Sequence, residues 1–128
     1  MNSYVLDTYA WVEYFRGTNL ADKVEVILNE KCFTPTIVIA ELQTKFLKEN
    51  LDFTQAVNFI EAKTITIPLT TNIAILAGKI NFERKKLNPH WSLYDSIILA
   101  TAREIKAKIV TGDEDFADLK DEVLMLKI

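Results

Sequence analysis

The sequence predicts an α/β fold in which a mostly parallel sheet is covered by helices on both faces. Short β-favouring runs alternate with longer segments of helical periodicity along the chain. One predicted helix, residues 92–106, is apolar on nearly every side, as expected of a buried helix. Only three glycines and three prolines interrupt the 128 residues. We therefore expect one domain, residues 1–128, without a disordered linker.

Five short segments with β-favouring composition predict the strands of this sheet. They are residues 4–6, 32–33, 64–67, 109–111 and 123–128. The third alternates in polarity and is ended by Pro68, and the fourth is the run Ile109-Val110-Thr111. Because helices separate the strands along the chain, most neighbouring strands are expected to be parallel.

Seven segments predict helices, most of them from apolar residues at helical spacing. They are residues 9–16, 20–30, 36–49, 52–62, 71–86, 92–106 and 114–119. Thr8 is a suitable N-cap for the first, which ends at Gly17, and Ser92 is a suitable N-cap for the sixth. The fifth has an apolar face that includes Ile75, Leu76, Ile80 and Phe82. It ends in three basic residues, which suits the partial negative charge of a helix C-terminus.

Composition restricts the class of protein. The formal charge is −3, so a nucleic-acid partner would need local positive charge or metal ions bound to carboxylates. Cys32 is the only cysteine, which excludes an internal disulfide and suits a reducing compartment. No apolar run approaches the ~18 residues of a membrane span, and the N-terminus lacks the pattern of a signal peptide. We therefore expect a cytoplasmic protein with no membrane partner.

Four acids stand where a parallel sheet collects functional groups. Asp7 and Asp113 each follow a strand, so both are expected at the carboxyl edge of the sheet, where open α/β sheets bind ligands. Glu41 and Asp95 lie one or two turns into helices that are otherwise strongly apolar. A carboxylate in such a position is costly unless a positive or hydrogen-bonding group meets it.

Taken singly, these acids have ordinary explanations. Asp7 suits a turn, and Asp95 forms nearly a capping box with Ser92. Glu41 is spaced to pair with a lysine four residues later. Asp113 and its neighbour Asp115 suit the cap of a short helix. Taken together, they are more simply explained as one site, and an all-carboxylate set suits Mg²⁺ or Mn²⁺ acting on a phosphodiester.

Other chemistries fit poorly. His90, the only histidine, lies in an Asn-Pro turn beside Trp91 and has no nucleophile to serve, so we expect a surface or packing role. There is no glycine-rich phosphate loop, and the segment GDEDF lacks the later glycine and glutamate of a calcium loop. Trp11, Tyr14 and Phe15 occur at helical spacing, which favours core or interface roles over base stacking.

Four segments in fixed order carry a family resemblance: YVLDTYAWVEYFRG, TIVIAEL, SLYDSIILATA and IVTGDEDF. The chain resembles the PIN-domain nucleases and, within them, the toxin ribonucleases of the VapC type, over essentially its whole length. The resemblance implies a three-layer α/β/α sandwich with roughly five strands and an endoribonuclease that uses one or two Mg²⁺ or Mn²⁺ ions. It implies catalytic roles for Asp7, Glu41, Asp95 and Asp113. It adds Asp115 as a further acid that assists the metal site beside Asp7, Asp95 and Asp113.

The resemblance also implies partners and supporting residues. Thr8 and Thr111 align with hydroxyl residues that orient the acids or water. Similar toxins form homodimers and are silenced by a small antitoxin that lays a helix along a groove near the first helices. Here Trp11, Tyr14 and Phe15 would line that groove. The basic residues expected to steer RNA are Arg16, Lys45, Lys48, Arg84, Lys85 and Lys86.

Two departures and three alternatives stay open at this point. Gly112 stands where many relatives have a basic residue, and the segment 88–91 has no role in the family interpretation. The first alternative is a PIN-domain RNA-processing nuclease without an antitoxin, and the second is a noncatalytic binding module. The third is a receiver-like phosphoacceptor, which usually has paired acids after its first strand, whereas Asp7 is followed by Thr8.

Overall fold

In the computed structural model, which describes residues 2–128, a five-stranded sheet lies between layers of helices. Every strand pair is parallel, as predicted. The strands are β1 (Ser3–Leu6), β2 (Lys31–Pro35), β3 (Ile65–Ile67), β4 (Lys108–Thr111) and β5 (Val123–Met125). Their order is β3-β2-β1-β4-β5, whereas a receiver domain has the order 2-1-3-4-5. The three-layer α/β/α prediction is confirmed, and the receiver-like alternative is wrong.

Six α-helices and one 3₁₀ turn, Glu114–Phe116, complete the described chain. The helices are α1 (Thr8–Arg16), α2 (Ala21–Ile27), α3 (Thr36–Lys48), α4 (Thr54–Lys63), α5 (Thr71–Leu87) and α6 (Leu93–Ile105). α5 packs closely against α6, and α1 packs against α2 and α3. Within residues 2–128, no helix has both the length and the apolar composition needed to cross a lipid bilayer.

The strand order changes direction at β1, and this fixes where a ligand site can form. From β1 the chain builds outward through β2 to β3, and it later returns to the other side of β1 with β4 and β5. Leu6 pairs with Val110, so Asp7 and Thr111 are level at the carboxyl edge. The Asp7 N–H donates to the Val110 carbonyl at 3.4 Å. The crevice outside β1 and β4 is therefore the expected ligand position in this topology.

Helix α6 is the buried helix that the sequence predicts. All eight residues from Asp95 to Ala102 are buried, and the helix contacts both β1 and β4. Helix α5 differs from the prediction, because Ile75 and Phe82 are exposed. Its buried face consists of Ile73, Ala77 and Ile80. Apolar residues occur on more than one side of α5, and composition alone does not show which side packs against the rest of the protein.

Two element ends also differ from the predictions. Asp7, not Thr8, caps α1: its backbone is extended and its side chain accepts from the Ala10 N–H. The carboxylate is a strong N-cap acceptor, and this leaves the Thr8 hydroxyl free for another contact. The last strand ends at Met125, three residues earlier than predicted, because only three residues of β5 pair with β4.

Candidate metal centre

A cavity of about 650 Å³ opens at the carboxyl edge of β1 and β4. We call it the acidic cavity. Four predicted acids line it together: Asp7, Glu41, Asp95 and Asp113. The first and last follow β1 and β4, and the other two are carried by α3 and α6. Because the ends of β1 and β4 and the helices α3 and α6 border one cavity, residues that are up to 106 positions apart in the chain lie together.

Three carboxylates form the tightest part of this site. Asp95, Asp113 and Asp115 each offer an oxygen atom, and these three atoms lie within 4.8 Å of one another. The oxygen ligands of one Mg²⁺ ion lie about 2.1 Å from it and so up to about 4.2 Å apart. Small side-chain rotations would bring all three onto one ion. The set contains oxygen ligands alone, which fits Mg²⁺ or Mn²⁺ better than zinc.

Three of these acids also cap a helix or the 3₁₀ turn, as predicted for Asp95 and Asp113 but not for Asp7. Asp7 accepts a backbone N–H of α1 at 2.9 Å, and Asp113 accepts the Asp115 N–H at 2.9 Å. Asp95 and Ser92 form a complete capping box at the start of α6. One oxygen of each carboxylate anchors its own chain segment, which leaves the other oxygen for a ligand. The helix N-termini also offset part of the repulsion among these acids.

Burial changes the acidity of two of these groups. Desolvation raises the pKa of Asp7 from 3.8 to about 7, against the opposing effect of hydrogen bonds from Thr111 and the α1 backbone. Burial likewise raises the pKa of Asp95. The negative charge of Asp113 acts in the same direction on both groups. A divalent cation in the cavity would reverse this effect by favouring the ionised carboxylates.

The two predicted hydroxyl residues have different partners. Thr111 is fully buried, accepts the Asp113 N–H at 3.0 Å and hydrogen-bonds the Asp7 carboxylate, so it orients two acids at once. Thr8 contacts no acid in this way; its hydroxyl bonds the Tyr94 hydroxyl. Sequence reasoning missed Tyr94, which lines the cavity immediately before Asp95. Its one signal in the sequence is an aromatic hydroxyl next to Asp95 in the first turn of the helix.

Comparison with known proteins identifies the family. A family model described as PIN domain matches residues 4–122. The chain belongs to the PIN-domain family. The match spans all five acids of the site. A comparison with curated proteins finds no match.

Solved structures share this PIN fold over nearly the whole chain. A toxin-antitoxin complex from Klebsiella pneumoniae has a TM-score of 0.80 at 22% identity and covers 97% of this chain and 98% of its own. A DNA-bound VapBC complex from Salmonella typhimurium has a TM-score of 0.79 at 17% identity, covering 99% and 100%. VapC20 from Mycobacterium tuberculosis, described as a Sarcin-Ricin loop cleaving toxin, has a TM-score of 0.73 at 15% identity, covering 91% and 94%.

Three of the predicted basic residues lie near the acidic cavity of the PIN domain. Arg16 and Lys45 line it, and Lys48 lines a smaller adjoining cavity that also contains Glu41. Arg16 pairs with Glu49 at 3.0 Å on the surface. Among residues 2–128, no ion pair joins Glu41 to Lys45, so that ordinary explanation of Glu41 fails. Lys45 therefore has its charge available beside the acids.

The other three basic residues do not line the acidic cavity. The Arg84 side chain is only 13% exposed, pairs with Asp118 at 2.8 Å and lies 4.2 Å from the Trp91 ring centroid. These are the contacts of a packing residue, and they do not support the predicted role of Arg84 in RNA binding. Lys85 and Lys86 are exposed near the end of α5, away from this cavity, and Lys86 lies 3.4 Å from Glu83.

His90 and Tyr9 are cavity residues whose place the sequence did not predict. His90 is exposed, as expected of a surface residue, and it lines the acidic cavity. Tyr9 lines the same cavity beside Gly112. A Cβ atom at position 112 would lie 2.2 Å from Cε1 of the Tyr9 ring. The glycine found in place of a basic residue thus makes room for this ring.

A second cavity, of about 380 Å³, adjoins the acidic cavity, and we call it the aromatic groove. Tyr14 and Phe15, two of the residues predicted for an antitoxin groove, line it together with Phe46 and Phe59. Trp11 does not line it, because its side chain is completely buried beneath these rings and stacks 5.3 Å from Phe15. Three residues line both cavities: Val12, Arg16 and Lys45.

Proposed function

We propose that this PIN domain is a divalent-metal-dependent endoribonuclease and the toxin of a type II toxin-antitoxin pair. The observation that supports the activity most strongly is the approach of Asp95, Asp113 and Asp115 to within 4.8 Å of one another, where Asp95 and Asp113 line the acidic cavity together with Asp7. In the proposed site, these four acids hold one or two Mg²⁺ or Mn²⁺ ions. Such an ion supplies charge neutralisation for the phosphodiester and activation of a bound water.

The remaining groups of the site have roles of their own. Glu41 lies outside the group of three acids but lines the same cavity, so its carboxylate is free to accept the proton of the attacking water. Thr111 fixes the orientation of Asp7 and Asp113. Arg16, Lys45 and Lys48 supply the local positive charge that a chain of net charge −3 needs for an RNA backbone.

The toxin assignment is supported by the kinds of protein that share the fold and by the aromatic groove. Several similar structures are described as toxin-antitoxin or VapBC complexes, and one is described as a Sarcin-Ricin loop cleaving toxin. A groove lined by Tyr14, Phe15 and Phe59 suits the apolar face of an amphipathic antitoxin helix. Because Arg16 and Lys45 lie in both cavities, such a helix would also cover part of the RNA path.

We also propose a homodimer. Three apolar side chains on the outer surface of α5, Ile75, Phe82 and Leu87, are 56%, 66% and 79% exposed. Exposed apolar side chains of this size on one helix favour an interface. The measurement that checks it is the molecular mass in solution of the wild type and of Phe82→Glu. A monomeric wild type would contradict the homodimer.

The activity is tested by cleavage of a single-stranded RNA in Mn²⁺ and in EDTA. We expect the wild type to cleave the RNA in Mn²⁺ but not in EDTA. The cleavage rate in Mn²⁺ should fall by at least about 100-fold in Asp95→Asn and in Asp113→Asn. The matched control is Asp22→Asn, which changes an exposed acid of α2 and should retain full activity. Full cleavage by both site variants, or equal cleavage in EDTA, would contradict the proposal.

The antitoxin is tested separately. A short reading frame for a helical, DNA-binding protein directly before this gene would support the toxin assignment, and coexpression of its product should suppress cleavage. An active enzyme without such a neighbour would favour the alternative of a PIN-domain RNA-processing nuclease. A noncatalytic binding module would require that the acids bind no metal.

A further inference from the structure

The segment 88–91, which has no role in the family interpretation, lies against Asp115. The Asn88 Nδ2 donates to Asp115 Oδ1 at 3.0 Å. Asp115 is one of the three closely spaced acids, but it lies in the 3₁₀ turn and not in a strand or an α-helix. The Asn88 amide is therefore a contact from outside its own turn that fixes this carboxylate.

Each polar group of Asn88, in the side chain and in the backbone, takes part in a hydrogen bond. Its Oδ1 accepts the His90 N–H at 3.0 Å, and its own N–H donates to the Arg84 carbonyl at 2.9 Å. Its carbonyl accepts the Trp91 N–H at 3.1 Å. The reverse orientation of the amide would place an oxygen against the Asp115 carboxylate and an NH₂ group against an N–H. Only one orientation therefore satisfies both neighbours.

The backbone of Asp115 is held from the same helix end. Arg84 donates through Nη2 to the Asp115 carbonyl at 3.0 Å and makes two 2.8 Å contacts with the Asp118 carboxylate. Trp91, under the Arg84 guanidinium, is completely buried and packs on Phe116. The end of α5 is thus joined to the 3₁₀ turn by a rigid polar and aromatic contact. Side chain and backbone of Asp115 are both set by residues of one neighbouring segment.

We propose that Asn88 is a positioning residue for the metal centre, an inference that rests on the proposed function. Its amide holds Asp115 Oδ1 and so fixes the orientation of the carboxylate beside Asp95 and Asp113. The donor is neutral, so it stabilises the carboxylate without competing for the ion. Without it, a half-buried carboxylate repelled by two neighbouring acids turns toward water. Loss of such a supporting contact typically weakens metal affinity by about 10- to 100-fold.

The test is the dissociation constant for Mn²⁺, measured on metal-free protein from the signal of free Mn²⁺ in electron paramagnetic resonance. We expect Asn88→Ala to bind Mn²⁺ about 10-fold more weakly than the wild type. Asn88→Ser should show the same loss, because its hydroxyl can keep the turn contact to the His90 N–H but is too short to reach Asp115. Pro89→Ala is the matched control: it alters the turn, keeps the amide, and should bind within about twofold of the wild type.

The outcomes separate this inference from the function on which it rests. In the cleavage assay, the Mn²⁺ concentration for half-maximal rate should rise in Asn88→Ser, and saturating Mn²⁺ should restore the maximal rate. If the wild type binds Mn²⁺ and both Asn88 variants bind it equally well, the positioning role is wrong while the metal centre stands. An equal loss in Pro89→Ala would assign the effect to the turn and overturn the role of the amide. A wild type that binds no Mn²⁺ would overturn both.

Discussion

At the scale of single residues, Asp7 makes the metal-free protein sensitive to pH. Its pKa rises from 3.8 to about 7 on burial, so the folded state binds the proton more tightly than the unfolded state. The stability from the protonated carboxyl is therefore complete below pH 4 and is lost as the pH rises toward 7. The raised pKa of Asp95 acts with the same sign.

We expect the free energy of unfolding of the wild type in EDTA to fall by on the order of 2 kcal/mol between pH 5 and pH 8. Asp7→Asn should fall much less, because asparagine keeps the N-cap of α1 without a charge. Chemical denaturation at several pH values measures both. Parallel pH dependences in the two proteins would contradict the buried-carboxyl explanation.

Gly112 and Gly78 give a matched pair of substitutions with opposite expected signs. A Cβ at position 112 would lie 2.2 Å from the Tyr9 ring, whereas nothing lies within 4 Å of a Cβ at position 78 in α5. Gly112→Ala should lower the free energy of unfolding only slightly, by less than about 1 kcal/mol, because the contact is with the outer end of a Tyr9 ring that is 39% exposed and can turn away. Gly78→Ala should raise it by about 0.5–1 kcal/mol through helix propensity. Denaturation curves that show the same sign for both would contradict this account.

At the scale of elements, a chain of buried hydrogen bonds joins α1, β2 and α4. The Trp11 Nε1–H donates to the Thr34 hydroxyl at 3.2 Å, which lies 2.8 Å from the Thr64 hydroxyl. Thr64 in turn donates to the Ile60 carbonyl at 2.8 Å. The two threonine hydroxyls each accept one hydrogen bond and donate another, so removal of the Thr34 hydroxyl leaves the buried Trp11 N–H without an acceptor and the Thr64 hydroxyl without a donor.

Thr34→Val should therefore lower the free energy of unfolding by about 2 kcal/mol, although it conserves shape and apolar volume. The control is Thr44→Val on the exposed side of α3, where the hydroxyl contacts only the Ala40 carbonyl and the change should be small. Urea denaturation measures both. If Thr34→Val lowers the free energy of unfolding by no more than Thr44→Val does, this chain of hydrogen bonds does not contribute to stability.

Elements also show which predictions sequence can support. The buried helix α6 is predictable because Ser92 and Asp95 mark its start and apolar residues follow on all sides. The cap of α1 was assigned to Thr8 when Asp7 provides it, since two adjacent residues both suit that position. Helix α5 was given the wrong buried residues because the burial of Ile75 depends on which neighbour packs against it.

At the scale of the whole molecule, a net charge of −3 means that RNA must be attracted locally. Lys45 lines both main cavities and has no ion pair within residues 2–128. Lys45→Gln should raise KM for RNA several-fold, leave kcat nearly unchanged and lower the salt dependence of binding. Lys63→Gln, at an exposed residue of α4 that does not line the acidic cavity, is the control. Equal effects of the two substitutions would contradict a localised RNA path.

The whole site was only partly predictable from the sequence. Asp7 and Asp113 were expected together because parallel strands share one carboxyl edge, and the structure places them in one cavity. The approach of His90 and Tyr94 depends on how the α5–α6 connection crosses that edge, which no local pattern encodes. The burial of Arg84 likewise depends on its contacts with Trp91 and Asp118. The basic run in which it lies gives no sign of these contacts.

The most direct test of the central claim is the position of Mn²⁺ in crystals grown with that ion. We expect anomalous scattering peaks for one or two ions in the acidic cavity, within coordination distance of Asp95, Asp113 and Asp115. Substitution of Asp113 by asparagine should weaken or remove the peak. A wild-type crystal with Mn²⁺ bound only elsewhere, or with no peak among these carboxylates at saturating Mn²⁺, would contradict the claim that they form a metal centre.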